Sequence, residues 1–446
     1  MFKQFTFMTP NQITMNSRRS FFKQMIGAGA LGSFSMLSET IAAEELIETI
    51  DHLQNLSIED AMQSEDFWKR IQLAYAVSKS YLNLNNGGVS PQPTIVLSAQ
   101  KKYLEQINEM PSRYLARELP RNRFILREKL ARLGGCLPEE IALMQNTTEA
   151  MNTVMLGMDW KAGDEVIVSK QDYSTVKLGW EQLAKRHRIK LVWVNLPAPI
   201  EDDEAILEIY LSKITPKTKF INLTQIINWT GQIIPVSVIA KICAQAREKD
   251  IFTLVDGAHS LAHIDFKISD LQCDAYASSL HKWLSAPIGT GMLYVRKEKI
   301  ASVWSMYPYD FSQESMIEKF EHKGTISLAR EEATHTAIQF HQQIGIQLKE
   351  ARLRHLKNYW AKELKKHQNI HFYTSFKDKY AGGIALFGVK EGDISRISLQ
   401  LEGKYRIHHT RTSLEGVEGI RISPNIYTSL QDLDRFLEAM DVLLKE

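Results

Sequence analysis

Residues 251–259 read Ile-Phe-Thr-Leu-Val-Asp-Gly-Ala-His, and residues 274–283 read Asp-Ala-Tyr-Ala-Ser-Ser-Leu-His-Lys-Trp. Each is a short apolar run that stops on polar chemistry. The first delivers Asp256 to the carboxyl end of a strand. The second delivers Ser279, His281 and Lys282 to the same edge, where open α/β sheets bind their ligands. A lone Asp at a strand end is ordinarily a helix N-cap, and a lone Lys is ordinarily solvated. Together they describe the needs of one cofactor. Pyridoxal phosphate requires a Lys amine for its Schiff base and an anionic partner for its pyridinium nitrogen.

The rest of the chain supports a sheet that would hold such a pair. Short apolar runs at 141–144, 165–169, 191–194, 220–224, 252–255, 275–278 and 291–295 alternate with helical segments. That alternation predicts an α/β fold, a mostly parallel sheet flanked by helices. Gln145-Asn-Thr-Thr-Glu-Ala-Met-Asn152 follows the first run. Asn146 with Glu149 three residues later has the pattern of a capped helix start, where free N–H groups bind phosphate. Thr147 and Thr148 add donors, and Ser279 and His281 face them from the other side. Outside the sheet, the spacing predicts helix over 44–75, two helices over 94–134 broken near Pro111 and Pro120, one long helix over about 330–367 and a last one over about 429–445. The division expected is a leader at 1–43, a helical and extended segment at 44–90 packing with the small domain, a large cofactor domain at 91–325 and a small α+β domain at 326–446.

Composition excludes several classes. The 446 residues are 44% apolar and 24% charged, within the range of globular chains rather than disordered or fibrous ones. Net charge is +2, and the first 43 residues hold four basic groups against Glu39, leaving −1 for the remainder. A near-neutral body carries no electrostatic footprint for nucleic acid. The three cysteines, Cys136, Cys243 and Cys273, match no zinc spacing, and no metal site is expected.

The N-terminus reads as an address. Ser17-Arg18-Arg19-Ser20-Phe21-Phe22-Lys23 precedes a short Gly- and Ser-rich apolar run over 25–37, and Ile41-Ala42-Ala43 follows. Basic region, short apolar region and small residues make a signal peptide, and the paired arginines resemble a twin-arginine signal. The run is too short to span a bilayer, so no membrane anchor is expected after cleavage. Export through the twin-arginine machinery to the periplasm follows as the expectation. Gly27-Ala-Gly-Ala-Leu-Gly32 fits G-x-G-x-x-G, but no strand precedes it and it belongs to the apolar region of the leader.

The order Asn-Thr-Thr-Glu-Ala, Asp-Gly-Ala-His, Ser-x-His-Lys resembles the class V aminotransferase family of pyridoxal-phosphate fold type I. Tyr81-Leu-Asn-Leu-Asn-Asn-Gly-Gly-Val-Ser-Pro resembles the entry loop of its isopenicillin N epimerase-like branch. The resemblance implies a cofactor site of Thr147, Thr148, Tyr173, Asn228, Asp256, His259, Ser279, His281 and Lys282. It leaves open whether Tyr173 or Asp172 faces the ring. It implies Asn86 and Arg421 as contacts to an amino-acid substrate, the guanidinium clamping a carboxylate. It also implies a homodimer, in which Lys323-Gly-Thr325 reaches the phosphate of the neighbouring subunit. Cysteine desulfurases of the family carry a nucleophilic Cys before that Arg; here the segment 405–415 has none. Three readings stay open: transamination or epimerisation at Cα, a C–S or β-lyase without a catalytic Cys, and a non-catalytic binding protein. The single Lys base favours transfer or elimination over epimerisation.

Overall fold

The computed structural model describes residues 56–445; the expected leader at 1–43 lies outside the described residues. Thirteen strands are described, in chain order β1 (Leu82–Asn83), β2 (Ile141–Met144), β3 (Glu165–Ser169), β4 (Lys190–Val194), β5 (Thr218–Thr224), β6 (Phe252–Asp256), β7 (Ala275–Ser279), β8 (Gly291–Val295), β9 (Ile370–Phe372), β10 (Ala385–Val389), β11 (Ile407–His408), β12 (Thr410–Leu414) and β13 (Val417–Ile422). Seven of them form the main sheet in the order β2-β8-β7-β6-β5-β3-β4. Every neighbouring pair is parallel except the two made by β8. β6 and β7 are buried along their whole length, which is why both read as unbroken apolar runs rather than as alternation.

The topology brings the carboxyl ends of β2, β3, β5, β6 and β7 to one edge. Helices Thr147–Leu156, Ser174–His187 and Val236–Glu248 return the chain across the sheet. Gly257, just past β6, is required there: a Cβ would lie 2.0 Å from the Tyr276 ring. The Tyr276 hydroxyl crosses the strand end to Ser260 Oγ at 2.8 Å and donates to the Gly257 carbonyl at 3.2 Å.

A second, antiparallel sheet runs β12-β13-β10-β9. Helices Ile346–Leu364, Ile394–Gly403 and Leu430–Leu443 cover it around a separate core that includes Trp360, Phe387, Leu401 and Phe436. Leu82 and Leu84 belong to that core, because β1 pairs in parallel with β11. An isolated bridge, Asn85 to Ser423, extends the stitch by one residue past Leu84.

Three helical expectations change. Of the helix expected over 44–75, residues 44–55 lie outside the described residues, and the rest is two, Ile58–Gln63 and Glu65–Leu73. The long helix over 330–367 is two, Ala329–Ile344 and Ile346–Leu364, broken at Gly345 with φ +84°. Periodicity alone misses this break because both helices present apolar residues in nearly the same phase. The stretch 94–134 is helix Thr94–Glu109, a turn at Pro111–Arg113, a π turn at Tyr114–Glu118 and helix Leu119–Gly134. Pro111 sits in a first helical turn, where the missing N–H has no partner to lose, whereas Pro120 lies just after the π turn. No helix among the described residues is long and apolar enough to cross a membrane.

Trp360 is fully buried and makes edge contacts with Phe387 and Phe436 at centroid distances of 6.0 and 5.6 Å. Trp360→Ala should cost about 3–5 kcal/mol in the small core. Chemical denaturation followed by fluorescence checks it, and a loss under about 1 kcal/mol would show that the core closes over the gap.

Candidate active site

A cavity of about 540 Å³ opens at the shared strand edge. Of the residues singled out in the sequence, Thr147, Thr148, Tyr173, Asn228, Asp256, His259, Ser279, His281, Lys282 and Arg421 all line it. Asn86 and Thr325 do not.

Asp256 ends β6, 4% exposed, and its Oδ1 accepts from the Ala258 N–H at 2.9 Å. Burial pushes its carboxyl up, against the pull of the Ala258 bond and the Lys282 charge. Burial lowers Lys282 to about 8, with Asp256 opposing and Arg421 adding to the shift. Both groups therefore move toward neutrality because the cleft buries them. A protonated ring nitrogen beside Asp256 would restore its missing counter-charge.

The immediate neighbour of Lys282 is His259, with Nζ and Nε2 3.2 Å apart. Trp283 Nε1 donates to His259 Nδ1 at 3.4 Å. Indole is a donor only, so Nδ1 accepts and the His259 proton sits on Nε2, facing the amine. Burial and the Lys282 and Arg421 charges hold His259 well below the usual histidine range, so it stays neutral. Behind it, Trp283 stacks on His263 at 3.8 Å and 25°. His263 donates from Nδ1 to the His259 carbonyl at 2.8 Å and accepts from the Gly383 N–H at 2.7 Å. The buried Lys349 ammonium donates to the Trp283 carbonyl.

At the start of helix Thr147–Leu156, Asn146 Oδ1 accepts from the Glu149 N–H at 2.9 Å. Glu149 reaches back to Gln145 N rather than to Asn146, and it also holds Lys323 at 2.8 Å. Thr147 N and Oγ1 meet Ser279 Oγ at 3.0 and 2.7 Å. One backbone donor and two hydroxyls thus converge at a helix N-terminus, the donor set that a phosphate needs. His281 Nδ1 donates to the Thr290 carbonyl at 2.9 Å, so its Nε2 can donate to a phosphate only when the ring is cationic.

On the small-domain side, Arg421 on β13 is 4% exposed and lowered to about 10, chiefly by burial. Nη1 donates to the Asn228 carbonyl at 2.7 Å; Nη2 donates to Asn85 Oδ1 at 2.5 Å and Thr410 Oγ1 at 3.1 Å. Its Nε is buried without a partner. A buried cation with an unspent N–H beside an open cavity is suited to a carboxylate.

Three sequence assignments are refined. Tyr173, 44% exposed, faces the cavity, whereas Asp172 is buried beneath it. Asp172 accepts from Ser169 N, Asn222 Nδ2 and Thr224 Oγ1 at 3.0, 2.9 and 2.7 Å, and burial raises it to about 7. Asn85, and not Asn86, lines the cavity. Asn86 is 0% exposed, and its amide bonds the Asn83 and Ser423 carbonyls and the Tyr427 hydroxyl within the wall. Thr325 is exposed and outside the cavity of its own chain, and Lys323 is spent on Glu149 and the Leu143 carbonyl. Asn85, Thr224 and Thr410 are lining residues that sequence reasoning missed. The loop's paired asparagines were the only signal for Asn85, and which one faces the cavity depends on pairing with residue 423.

The residues fit pyridoxal phosphate: a neutral-leaning amine, a buried carboxylate lacking a counter-charge, and a donor cluster for phosphate. Apoprotein should load the cofactor faster as pH rises, levelling above about 8, because only the neutral Lys282 amine attacks the aldehyde. Asp256→Asn should shift that inflection downward, since it removes the charge that holds the Lys282 proton. Absorbance-monitored loading across pH tests both. Borohydride trapping and peptide mapping should place the cofactor on Lys282, and a label on another lysine would overturn the assignment.

Comparison with known proteins agrees with this geometry. The class-V aminotransferase family matches residues 82–436. The isopenicillin N epimerase of Streptomyces clavuligerus is 28% identical over 396 residues, covering 85% of this chain and 99% of that protein. A probable cysteine desulfurase of Xylella fastidiosa (strain 9a5c) is 27% identical, covering 80% and 85% respectively. The crystal structure of a cysteine desulfurase from Escherichia coli superposes with a TM-score of 0.72 at 22% identity, covering 85% of this chain and 98% of that one. With the match spanning most of its length and the cavity carrying the cofactor's partners, the chain belongs to the class-V aminotransferase family and is a pyridoxal-phosphate-dependent enzyme.

Proposed function

We propose that this enzyme acts at the Cα of an α-amino acid in the manner of an aminotransferase. The observation that carries the reading is that Lys282 is the one amine among the residues lining the cavity. Bound pyridoxal phosphate supplies an electron sink for the pair released when a Cα bond breaks. Arg421 holds the substrate carboxylate, with Asn85 and Thr410 fixing its fork. That anchor sets which Cα bond faces Lys282. As a free amine, Lys282 would take the Cα proton and deliver it from the same wall to the cofactor's former aldehyde carbon. His259, neutral with its proton on Nε2, keeps that amine oriented. Asp256 stabilises positive charge at the ring nitrogen's position.

None of the three cysteines lines the cavity, and Cys243 and Cys273 are buried. The reading therefore excludes a persulfide-forming thiol. Epimerisation is the second reading. It is supported by the resemblance to isopenicillin N epimerase and by Tyr173, an exposed hydroxyl on the cavity wall that needs to serve as the second acid.

Holoenzyme incubated with an amino-acid panel in deuterated water separates these outcomes. Transamination should give Cα exchange, keto acid and pyridoxamine phosphate. Keto acid with ammonia and no pyridoxamine phosphate would replace the reading with elimination. Loss of optical activity without keto acid would replace it with epimerisation.

We further propose that the protein reaches the periplasm folded, by the twin-arginine route, on the motif Arg18-Arg19 before a short apolar run. Replacing both arginines by Lys should retain the precursor in the cytoplasm; unchanged periplasmic yield in fractionated cells would refute the route.

A further inference from the structure

His408 and His409 are adjacent in sequence but lead to different places. His409 is buried and meets Ser398 Oγ at 2.7 Å. His408 is half-exposed and connects inward to the cavity. Its Nε2 lies 3.2 Å from Asn85 Nδ2, and its Nδ1 lies 3.3 Å from Glu402 Oε2. Asn85 in turn holds Arg421, so a continuous chain runs Glu402–His408–Asn85–Arg421.

The direction of every bond in that chain is determined. Two donors converge on Asn85 Oδ1: Arg421 Nη2 at 2.5 Å and the Thr410 hydroxyl at 2.7 Å. The amide therefore must turn its NH₂ group toward His408. An amide nitrogen only donates, so His408 Nε2 must accept, and its proton belongs on Nδ1 facing Glu402. A second proton on His408 would set N–H against N–H at this contact. Asn85 then satisfies either the imidazolium or Arg421, and not both.

We infer that His408 and Asn85 are positioning residues for the carboxylate-binding Arg421, and that protonation of His408 draws Asn85 away from the guanidinium, leaving it held only by the Asn228 carbonyl and Thr410. The inference rests on the proposed role of Arg421. Charged and titratable groups around His408 come from several elements. Glu402 on the helix Ile394–Gly403 faces Nδ1, and the Tyr81 hydroxyl donates to Glu402 at 3.1 Å. Arg406 acts on Tyr81, His409 is the chain neighbour, and Arg421 is reached through Asn85. Glu402 accepts at one face of the ring and Asn85 donates at the other.

Two small probes isolate carboxylate recognition without knowledge of the substrate. Aminooxyacetate and methoxyamine capture the cofactor aldehyde through the same aminooxy group, and only the first carries a carboxylate. The ratio of their second-order rates with holoenzyme is measured across pH. Nitrogen-15 histidine resonances, assigned by comparison with His408→Gln, locate the His408 titration in the same protein. In the wild type the ratio should fall roughly three- to tenfold as His408 protonates, the scale of one lost hydrogen bond. Gln accepts from Asn85 without titrating, so His408→Gln should flatten the ratio with pH. The resonances should show Nε2 unprotonated in the neutral ring. A step that survives in His408→Gln, or a neutral ring protonated on Nε2, overturns the inference. Arg421→Gln should bring the two rates together at every pH. If it leaves the ratio unchanged, the role of Arg421 itself fails; if it collapses the ratio while His408→Gln keeps the step, only the present inference fails.

Discussion

Two ionisable groups, Asp256 and Lys282, stand in a cleft where neither is well solvated, and the arrangement around them follows from that cost. Desolvation disfavours both charges at once, raising the acid and lowering the base. Proteins tolerate such pairs where a ligand completes them. A cationic ring nitrogen would answer Asp256, and Lys282 would hold an aldehyde through its free amine. The cost is met by rigid surroundings: two fully buried parallel strands present the groups, and Gly257 admits the Tyr276 ring that locks the strand end.

The second layer fixes protonation rather than position alone. Trp283 is a donor without acceptor capacity, so its contact decides the His259 tautomer and hence which face Lys282 meets. His263 does the same for the His259 backbone, with its own proton assigned by Gly383. The same logic recurs on the other wall, where two donors on Asn85 Oδ1 dictate the state of His408. Single-role donors thus propagate definite hydrogen-bond directions through the site from both domains.

Arg421 comes from the four-stranded sheet, whereas Asp256 and Lys282 stand at strand ends of the seven-stranded one. The cavity therefore exists only where the two meet. The extended segment through Leu82 and Leu84 is stitched to β11 and the small core, and this seats Asn85 against Arg421. A carboxylate bound there would meet a cation already oriented by the Asn228 carbonyl, Asn85 Oδ1 and Thr410 Oγ1.

The seven strands of the main sheet, the capped helix at Asn146 and the Asp256–Lys282 pair were legible in the chain itself. Apolar runs, caps and strand-end chemistry are local patterns, and a parallel sheet buried on both faces writes them plainly. What the sequence could not decide was which of two neighbours faces inward: Asn85 or Asn86, Tyr173 or Asp172. Those choices hang on contacts hundreds of residues away, such as the bridge from Asn85 to Ser423, and one step of register turns a side chain from the cavity into the wall. The protonation pattern of His259 and His408 was likewise set by tertiary partners, because a histidine's proton is assigned by what it meets and not by its place in the chain.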